Sequence, residues 1–184
     1  TANIGLEHTD IATNERGAIV VNDTCESSVP DVYAVGDVNG GPQFTYISLD
    51  DFRIVFGALT GNSQYTLKDR KNIPYTTFLT PPLSRVGLTE EDAINQGYMV
   101  KTKEMLVATM PRAHVNDYLK GAFKIVVDAD NDLILGATLY SQGAEELINL
   151  IKMAMDNNIP YTYFKNQIFT HPTMSENLND LCNF

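Results

Sequence analysis

The sequence predicts an α+β domain with an antiparallel sheet and flanking helices, preceded by an incomplete α/β segment. Three observations carry this. An early apolar run, Val32-Tyr33-Ala34-Val35, is stopped by Gly36-Asp37, the form of a strand buried on both faces of a parallel sheet. After Ile73-Pro74 the pattern changes to extended runs at residues 98–107, 123–127 and 133–140. These runs are grouped rather than alternated one by one with helices, the order of an α+β domain. The polar stretch of residues 62–72, with Lys68, Asp69, Arg70 and Lys71, reads as the boundary. Two parts follow, residues 1–72 and 73–184.

In chain order, residues 17–21 are a β-branched run between turn residues and read as a strand. Residues 32–35 are the second strand. A loop, Asn39-Gly40-Gly41-Pro42, leads to a helix over residues 48–59. There Ile47, Phe52, Val55, Phe56 and Leu59 recur at near-helical spacing, and Gly61 can end it. In the second part, residues 76–79 and 84–88 are strand-like. Thr89 is placed to cap a helix whose first turn is acidic, and Gly97 closes it. Asn131-Asp132 turns the chain between the last two strands. Residues 143–156 form the strongest helix, with apolar residues crowding more than one face and so implying burial on two sides.

Of 184 residues, 43% are apolar and 20% charged, a globular balance. The net charge of −10 argues against a nucleic-acid partner and against docking on an anionic membrane. It fits a cytoplasmic protein. Cys25 and Cys182 are the only cysteines and lie far apart, so neither a metal cluster nor a disulfide scaffold is expected. No apolar run reaches the roughly 18 residues that span a bilayer. The chain begins Thr1-Ala2-Asn3-Ile4, without Met or a leader-like segment, and the expectation is a piece of a longer chain.

Three motifs are candidates for chemistry. Gly36-Asp37 would put a carboxylate at the carboxyl end of a strand, where open α/β sheets bind nucleotides and where it can accept bonds from sugar hydroxyls. Gly-Asp is equally an ordinary turn pair. The segment Gln43-Phe44-Thr45-Tyr46-Ile47-Ser48 enters a helix, whose amino end presents N–H groups and partial positive charge. It also reads as a plain entry with Ser48 as cap. In His171-Pro172-Thr173-Met174-Ser175-Glu176, Pro172 restricts His171 to an extended backbone. Glu176 is close enough to fold back on His171, fix its tautomer and make an acid/base pair. The same residues form a capping box, with Glu176 returning to Thr173. His8 and His114 read as surface residues, and Cys182 as an apolar filler in a short terminal helix.

Together, these motifs resemble the glutathione reductase and dihydrolipoamide dehydrogenase group of FAD-dependent pyridine nucleotide-disulfide oxidoreductases. Three stretches carry the likeness: Ser28 through Asp37, Ser84-Arg85-Val86-Gly87-Leu88-Thr89-Glu90-Glu91, and His171-Pro172-Thr173 with Glu176. Within the group, Thr80 through Gly87, Met110-Pro111-Arg112-Ala113 and Gln167 through Glu176 look like the bacterial reactive-chlorine-resistance branch. Those proteins are cytoplasmic flavin oxidoreductases of oxidative defence, implicated in copper(II) reduction. The resemblance implies FAD and NADH or NADPH as cofactors. It implies a C-terminal dimerisation domain over residues 73–184 and an incomplete FAD-binding domain over residues 1–72. It makes Gly36 and Asp37 cofactor-binding, and Phe44 with Thr45 the backbone contact to the flavin ring. It makes His171 the acid/base, oriented by Glu176, at the flavin-thiol site of the other subunit of a homodimer.

The departures narrow the expectation. No GxGxxG and no CxxxxC occur here, so the fragment alone is expected to be inactive. Mercuric reductases carry a C-terminal cysteine pair, whereas this chain has only Cys182 near its end. Tyr46 follows Thr45 where relatives often place proline. Two alternatives stay open. One is a flavoprotein of the same fold reducing a metal ion, quinone or oxygen without a redox disulfide. The other is a non-catalytic dimerisation module.

Overall fold

The extended runs after residue 73 form strands. The structure is a computed structural model that describes Thr1 and residues 3–184. It divides into two units, Thr1–Lys71 and Asn72–Phe184.

The second unit is an α+β domain. Its strands are β1 (Tyr75–Thr77), β2 (Leu83–Gly87), β3 (Val100–Leu106), β4 (Ala122–Asp128) and β5 (Ile134–Tyr140). They form one sheet in the order β1-β2-β5-β4-β3, every pairing antiparallel. Period-2 alternation turns one face inward: Phe123, paired with Met105 and Leu139, and Ile125, paired with Ala137, are fully buried. A bulge between Val126 and Val127 shifts the register near the β4–β5 turn. At the same end of β5, Gly136 pairs with Gly87. A Cβ on Gly136 would sit 2.1 Å from the Leu88 carbonyl oxygen, and one on Gly87 would sit 2.2 Å from that of Leu135. Gly87 also has φ +71°. Only glycine fits this approach of two backbones.

Helix α1 (Thr45–Leu59) belongs to the first unit and α2 (Glu90–Asn95) to the second. In α2, Thr89 is the cap. Its hydroxyl accepts from the Asp92 N–H, and the Asp92 carboxylate returns to Thr89. That bond from the Thr89 side chain, with its backbone bond, holds the Asp92 carboxyl below the ordinary carboxylate range. The long helix of the second unit is α4 (Ala144–Asp156), preceded by the short α3 (Pro111–Val115) and followed by α5 (Tyr161–Asn166) and α6 (Leu178–Leu181). Leu147, Ile148, Ile151 and Ala154 of α4 pack on Val86, Phe123, Ile125 and Leu139 of the sheet. Tyr161, Phe164, Leu178, Leu181 and Cys182 extend the same core. Each such large side chain contributes about 1.5–3 kcal/mol by leaving water. The expectation that α4 is buried on two sides is corrected: Met153 is 56% exposed, because the helix lies on one sheet and only that face is covered. Helices α3 and α5 were not read from the sequence, since one or two turns give no periodicity to count.

In the first unit the strand readings are corrected. Residues 17–21 contribute one bridge, Ile19 to Thr13, and residues 32–35 one bridge, Tyr33 to Glu26. Val32 and Val35 are exposed. A strand buried on both faces needs neighbouring strands to hydrogen-bond and layers to cover it, and residues 1–71 supply neither. Helix α1 begins three residues before Ser48, with Phe44 at its cap. Its buried face is Ile47, Asp51 and Ile54, while Phe52, Phe56 and Leu59 are exposed.

Asp51 explains that face. It is fully buried, and its Oδ2 accepts from the Gly36 N–H at 2.7 Å and from Asn39 Nδ2 at 2.9 Å. Its Oδ1 accepts from Arg70 Nη2, and Arg70 Nε donates to Asp50 at 2.7 Å. The Arg70 side chain is 10% exposed. Burying a carboxylate in hydrocarbon is prohibitive without such partners, so Asp51 joins helix, Gly36 turn and the end of the unit. Arg70→Met keeps the stem but leaves Asp51 buried without its cation. It is expected to cost about 3–5 kcal/mol, read from the midpoint of urea unfolding followed by circular dichroism.

Candidate functional site

Residues 167–177 leave α5 in extended form and turn back at His171. The His171–Pro172 peptide is cis, as is Thr80–Pro81. His171 Nδ1 lies 2.8 Å from Glu176 Oε2. The other carboxylate oxygen, Oε1, accepts from the Thr173 N–H at 3.3 Å, and the Glu176 N–H donates to Thr173 Oγ1 at 3.2 Å. The two readings of this motif are therefore compatible: Glu176 closes a capping box with one oxygen and holds the imidazole with the other. An acceptor on Nδ1 fixes the proton there and directs Nε2 outward as the exchanging atom. The His171 side chain is 68% exposed and that of Glu176 17%. The ring is thus held at its inner edge and open at its outer one.

Thr173 ties the turn further. Its hydroxyl donates to the Thr170 carbonyl at 2.8 Å and accepts from Ser175 Oγ at 3.1 Å. Asn177, buried behind Glu176, donates to the carbonyls of Thr173 and Met174. His114 takes no part; its Nε2 contacts the Ala108 carbonyl at 2.8 Å.

The remaining candidates lie in the first unit. Gly36 opens a single helical turn, Gly36–Asn39, with φ +72°. A Cβ there would meet Ser48 Oγ at 2.6 Å, so its missing side chain makes room for α1. Asp37 is exposed and lines an open groove of about 520 Å³ with Gly17, Ala18, Val38, Gly40 and Gln43. Phe44 stacks on Tyr46, ring centroids 5.1 Å apart and nearly parallel. Thr45 is the exposed first residue of α1, and no side chain caps that end. Phenylalanine at the cap brings no acceptor, and the first turn holds no acidic residue, so positive potential at the helix end is not neutralised from within the helix.

Sequence reasoning missed Asp51, Asn39 and Arg70, which brace the Gly36 turn. A signal existed: Ile47, Asp51 and Ile54 share one face at i, i+4, i+7, so the acidic residue sat on the stripe that packs. Arg70 carried none, lying in a stretch that reads as polar linker.

Both cysteines are free and buried. Burial pushes the Cys25 thiol up to about 11, helped by the negative charge of Asp51, and the Cys182 thiol up to about 12. Neither is a reactive thiolate at neutral pH. Among the described residues no group of three or more His, Cys, Asp or Glu is placed to hold a metal ion, and no helix is long and apolar enough to cross a membrane.

Residues 73–182 match the pyridine nucleotide-disulphide oxidoreductase dimerisation domain, and residues 1–51 match the pyridine nucleotide-disulphide oxidoreductase domain. The chain belongs to the pyridine nucleotide-disulphide oxidoreductase family. Its relatives in that family include the "Probable pyridine nucleotide-disulfide oxidoreductase RclA" of Escherichia coli (strain K12), 49% identical over 98% of this chain and 41% of that protein. The mercuric reductase of Staphylococcus aureus is 32% identical over 97% of this chain and 32% of its own length. A solved Cu(II) complex of the HOCl-induced flavoprotein disulfide reductase RclA from Escherichia coli superimposes with a TM-score of 0.95. It is 48% identical and covers 99% of this chain and 41% of that one. The chain thus spans about two fifths of RclA.

With both thiols neutral and enclosed, iodoacetamide at pH 8 is expected to leave Cys25 and Cys182 unmodified in the native protein and to modify both in concentrated guanidinium. Peptide mass spectrometry reads this directly; rapid native labelling of either would contradict the burial.

Proposed function

We propose that this chain is the C-terminal part of an NAD(P)H-dependent, FAD-containing oxidoreductase of the disulfide-reductase type. In this reading residues 73–184 form the dimer interface and residues 1–72 the end of the FAD-binding domain. The chain alone is without turnover, and two copies of the parent make a homodimer. The observation that carries the reading is the His171–Glu176 pair, held at 2.8 Å with the imidazole otherwise open.

The first unit fits an FAD. Asp37 stands exposed on a groove, with acceptors for ribityl or sugar hydroxyls. Thr45 heads a helix end that no side chain caps, suited to a region of negative charge on a ring system. Phe44, the residue at that helix's cap, stacks on Tyr46. When bound, FAD accepts hydride from the pyridine nucleotide and passes the two electrons onward.

His171 does the proton work. Thiol–disulfide exchange forms one S–S bond and breaks another, and the departing sulfur leaves as a thiolate. The proton on His171 Nε2 passes to that sulfur and comes back when a thiol must become the attacking thiolate. Glu176 keeps Nδ1 protonated and balances the imidazolium while the ring holds both protons. Its second oxygen, bonded to the Thr173 N–H, keeps the carboxylate from following the ring. The acting sulfurs lie outside this chain, on the other subunit of the dimer.

A second reading is favoured by one observation, the Cu(II) complex formed by the relative RclA. Here a metal ion is the electron acceptor, and His171 contributes little to its reduction.

His171→Ala in the full-length flavoprotein separates the two. Turnover of an aromatic disulfide, read by release of its coloured thiol, is expected to fall about 100-fold or more, while anaerobic bleaching of the flavin by NADH is unchanged. Unchanged disulfide turnover would remove the acid/base role. Cu(II) reduction with no disulfide turnover even in the parent would favour the second reading.

A further inference from the structure

The proposal concerns what aims His171, and it rests on the acid/base reading above. Helix α5 ends at Asn166, and the residue after it is Gln167 rather than the left-handed glycine or asparagine that usually turns a chain out of a helix. Its closing residue, Gln167, is extended at φ −68° and ψ 142°. The last carbonyls of α5 gain little from their own turn: locally the Gln167 N–H donates to the Phe164 carbonyl at 3.3 Å. A further donor to them comes from beyond the His171 turn. Asn179 Nδ2 lies 2.7 Å from the Phe164 carbonyl, 2.9 Å from that of Gln167 and 3.3 Å from that of Lys165. One primary amide, with two hydrogens, spans three carbonyls 12 to 15 residues earlier in the chain.

The position of that amide matters more than its count of bonds. Gln167 is four residues before His171 and Asn179 eight residues after it. The bond between them closes a loop with the imidazole at its far end. Inside the loop, Glu176 and Thr173 fix the ring relative to its own turn. None of those bonds fixes the turn relative to the domain. Behind Asn179, Leu178, Leu181 and Cys182 are fully buried in the core. The side chain of Asn179 thus connects the incoming arm of the loop to the anchored outgoing one. Without it the incoming arm, in which Ile168 and Thr170 are exposed, rests on Phe169, partly buried against the core, and on the single backbone bond from Gln167 to the Phe164 carbonyl.

We propose that Asn179 is a positioning residue for His171: its amide holds the exit of α5 and so sets where the imidazole stands. A group acting across a dimer interface on a second copy of the protein cannot correct its aim by local adjustment, and a displacement of about 1 Å at a reacting group costs on the order of 100-fold in rate. Asparagine suits the task because its amide donates twice from one planar group. Aspartate, of the same shape, would turn oxygens toward three carbonyls.

A contrasting tether supplies the control. Lys103 on β3 donates to the carbonyl of Asp180 at 2.7 Å and to that of Asn183. It anchors the same terminal segment but touches nothing between α5 and His171.

The test is a double-mutant cycle in the full-length flavoprotein. Asn179→Ala is expected to lower aromatic-disulfide turnover at least tenfold, with flavin bleaching by NADH unchanged. In a His171→Ala background the same change is expected to have no further effect, because there is no longer an imidazole to aim. Lys103→Ala is expected to lower thermal stability without a selective loss of disulfide turnover. Should Asn179→Ala fail to yield folded flavoprotein, Asn179→Gln, which keeps both amide hydrogens one methylene further out, enters the same cycle. A loss that persists undiminished in the His171→Ala background, or no loss at all, overturns the proposal. If His171→Ala itself leaves disulfide turnover intact, the acid/base reading fails and the positioning role falls with it. If His171→Ala abolishes turnover and the asparagine variants do not reduce it, only the positioning role fails.

Discussion

A carboxylate taken out of water must have its oxygens answered, and this constraint shapes both units of the chain. In the first, Asp51 is completely enclosed, and an N–H, a side-chain amide and a guanidinium converge on it. The Gly36 turn, the buried face of α1 and the placement of Arg70 follow from that convergence. In the second, Glu176 is mostly enclosed, and its oxygens are divided between the Thr173 N–H and His171. In both units a charge that would be costly alone becomes the point at which separate segments are made to agree.

The two units obtain their order differently. Residues 72–184 have a sheet, a helix laid across it and one continuous apolar core, so burial of hydrocarbon dominates there. Residues 1–71 have isolated bridges, one long helix and a buried ion pair, with Val35, Phe52 and Phe56 left exposed. Exposed apolar side chains at this density are the mark of a surface made to be covered. The chain covers about two fifths of RclA, and the family's domain model matches residues 1–51. In the proposed reading these faces are covered by residues of the parent protein outside this chain.

Much of the second unit could be read in the sequence because its signals are local. Extended runs marked the strands, Thr89 and its acidic turn marked α2, and apolar density marked α4. The His171–Glu176 contact was legible as one of two readings, since five residues with a proline between them leave few ways to fold back. What could not be read was which of Glu176's two duties prevailed. Spacing cannot count lone pairs, and with two oxygens the carboxylate serves both.

By itself the sequence determined the elements whose forces act within a few residues: extended runs, caps, turns, and the family to which the motifs belong. Only the tertiary structure decided the relations that join distant segments. Asp51 lies inside rather than out because Arg70, 19 residues away, reaches it. Asn179 caps a helix 12 to 15 residues before it. Residues 32–35 lack a ladder because a strand exists only where a neighbour supplies its hydrogen bonds. Local pattern records what a residue prefers, and burial with a partner records what it is given, which no single stretch of sequence contains.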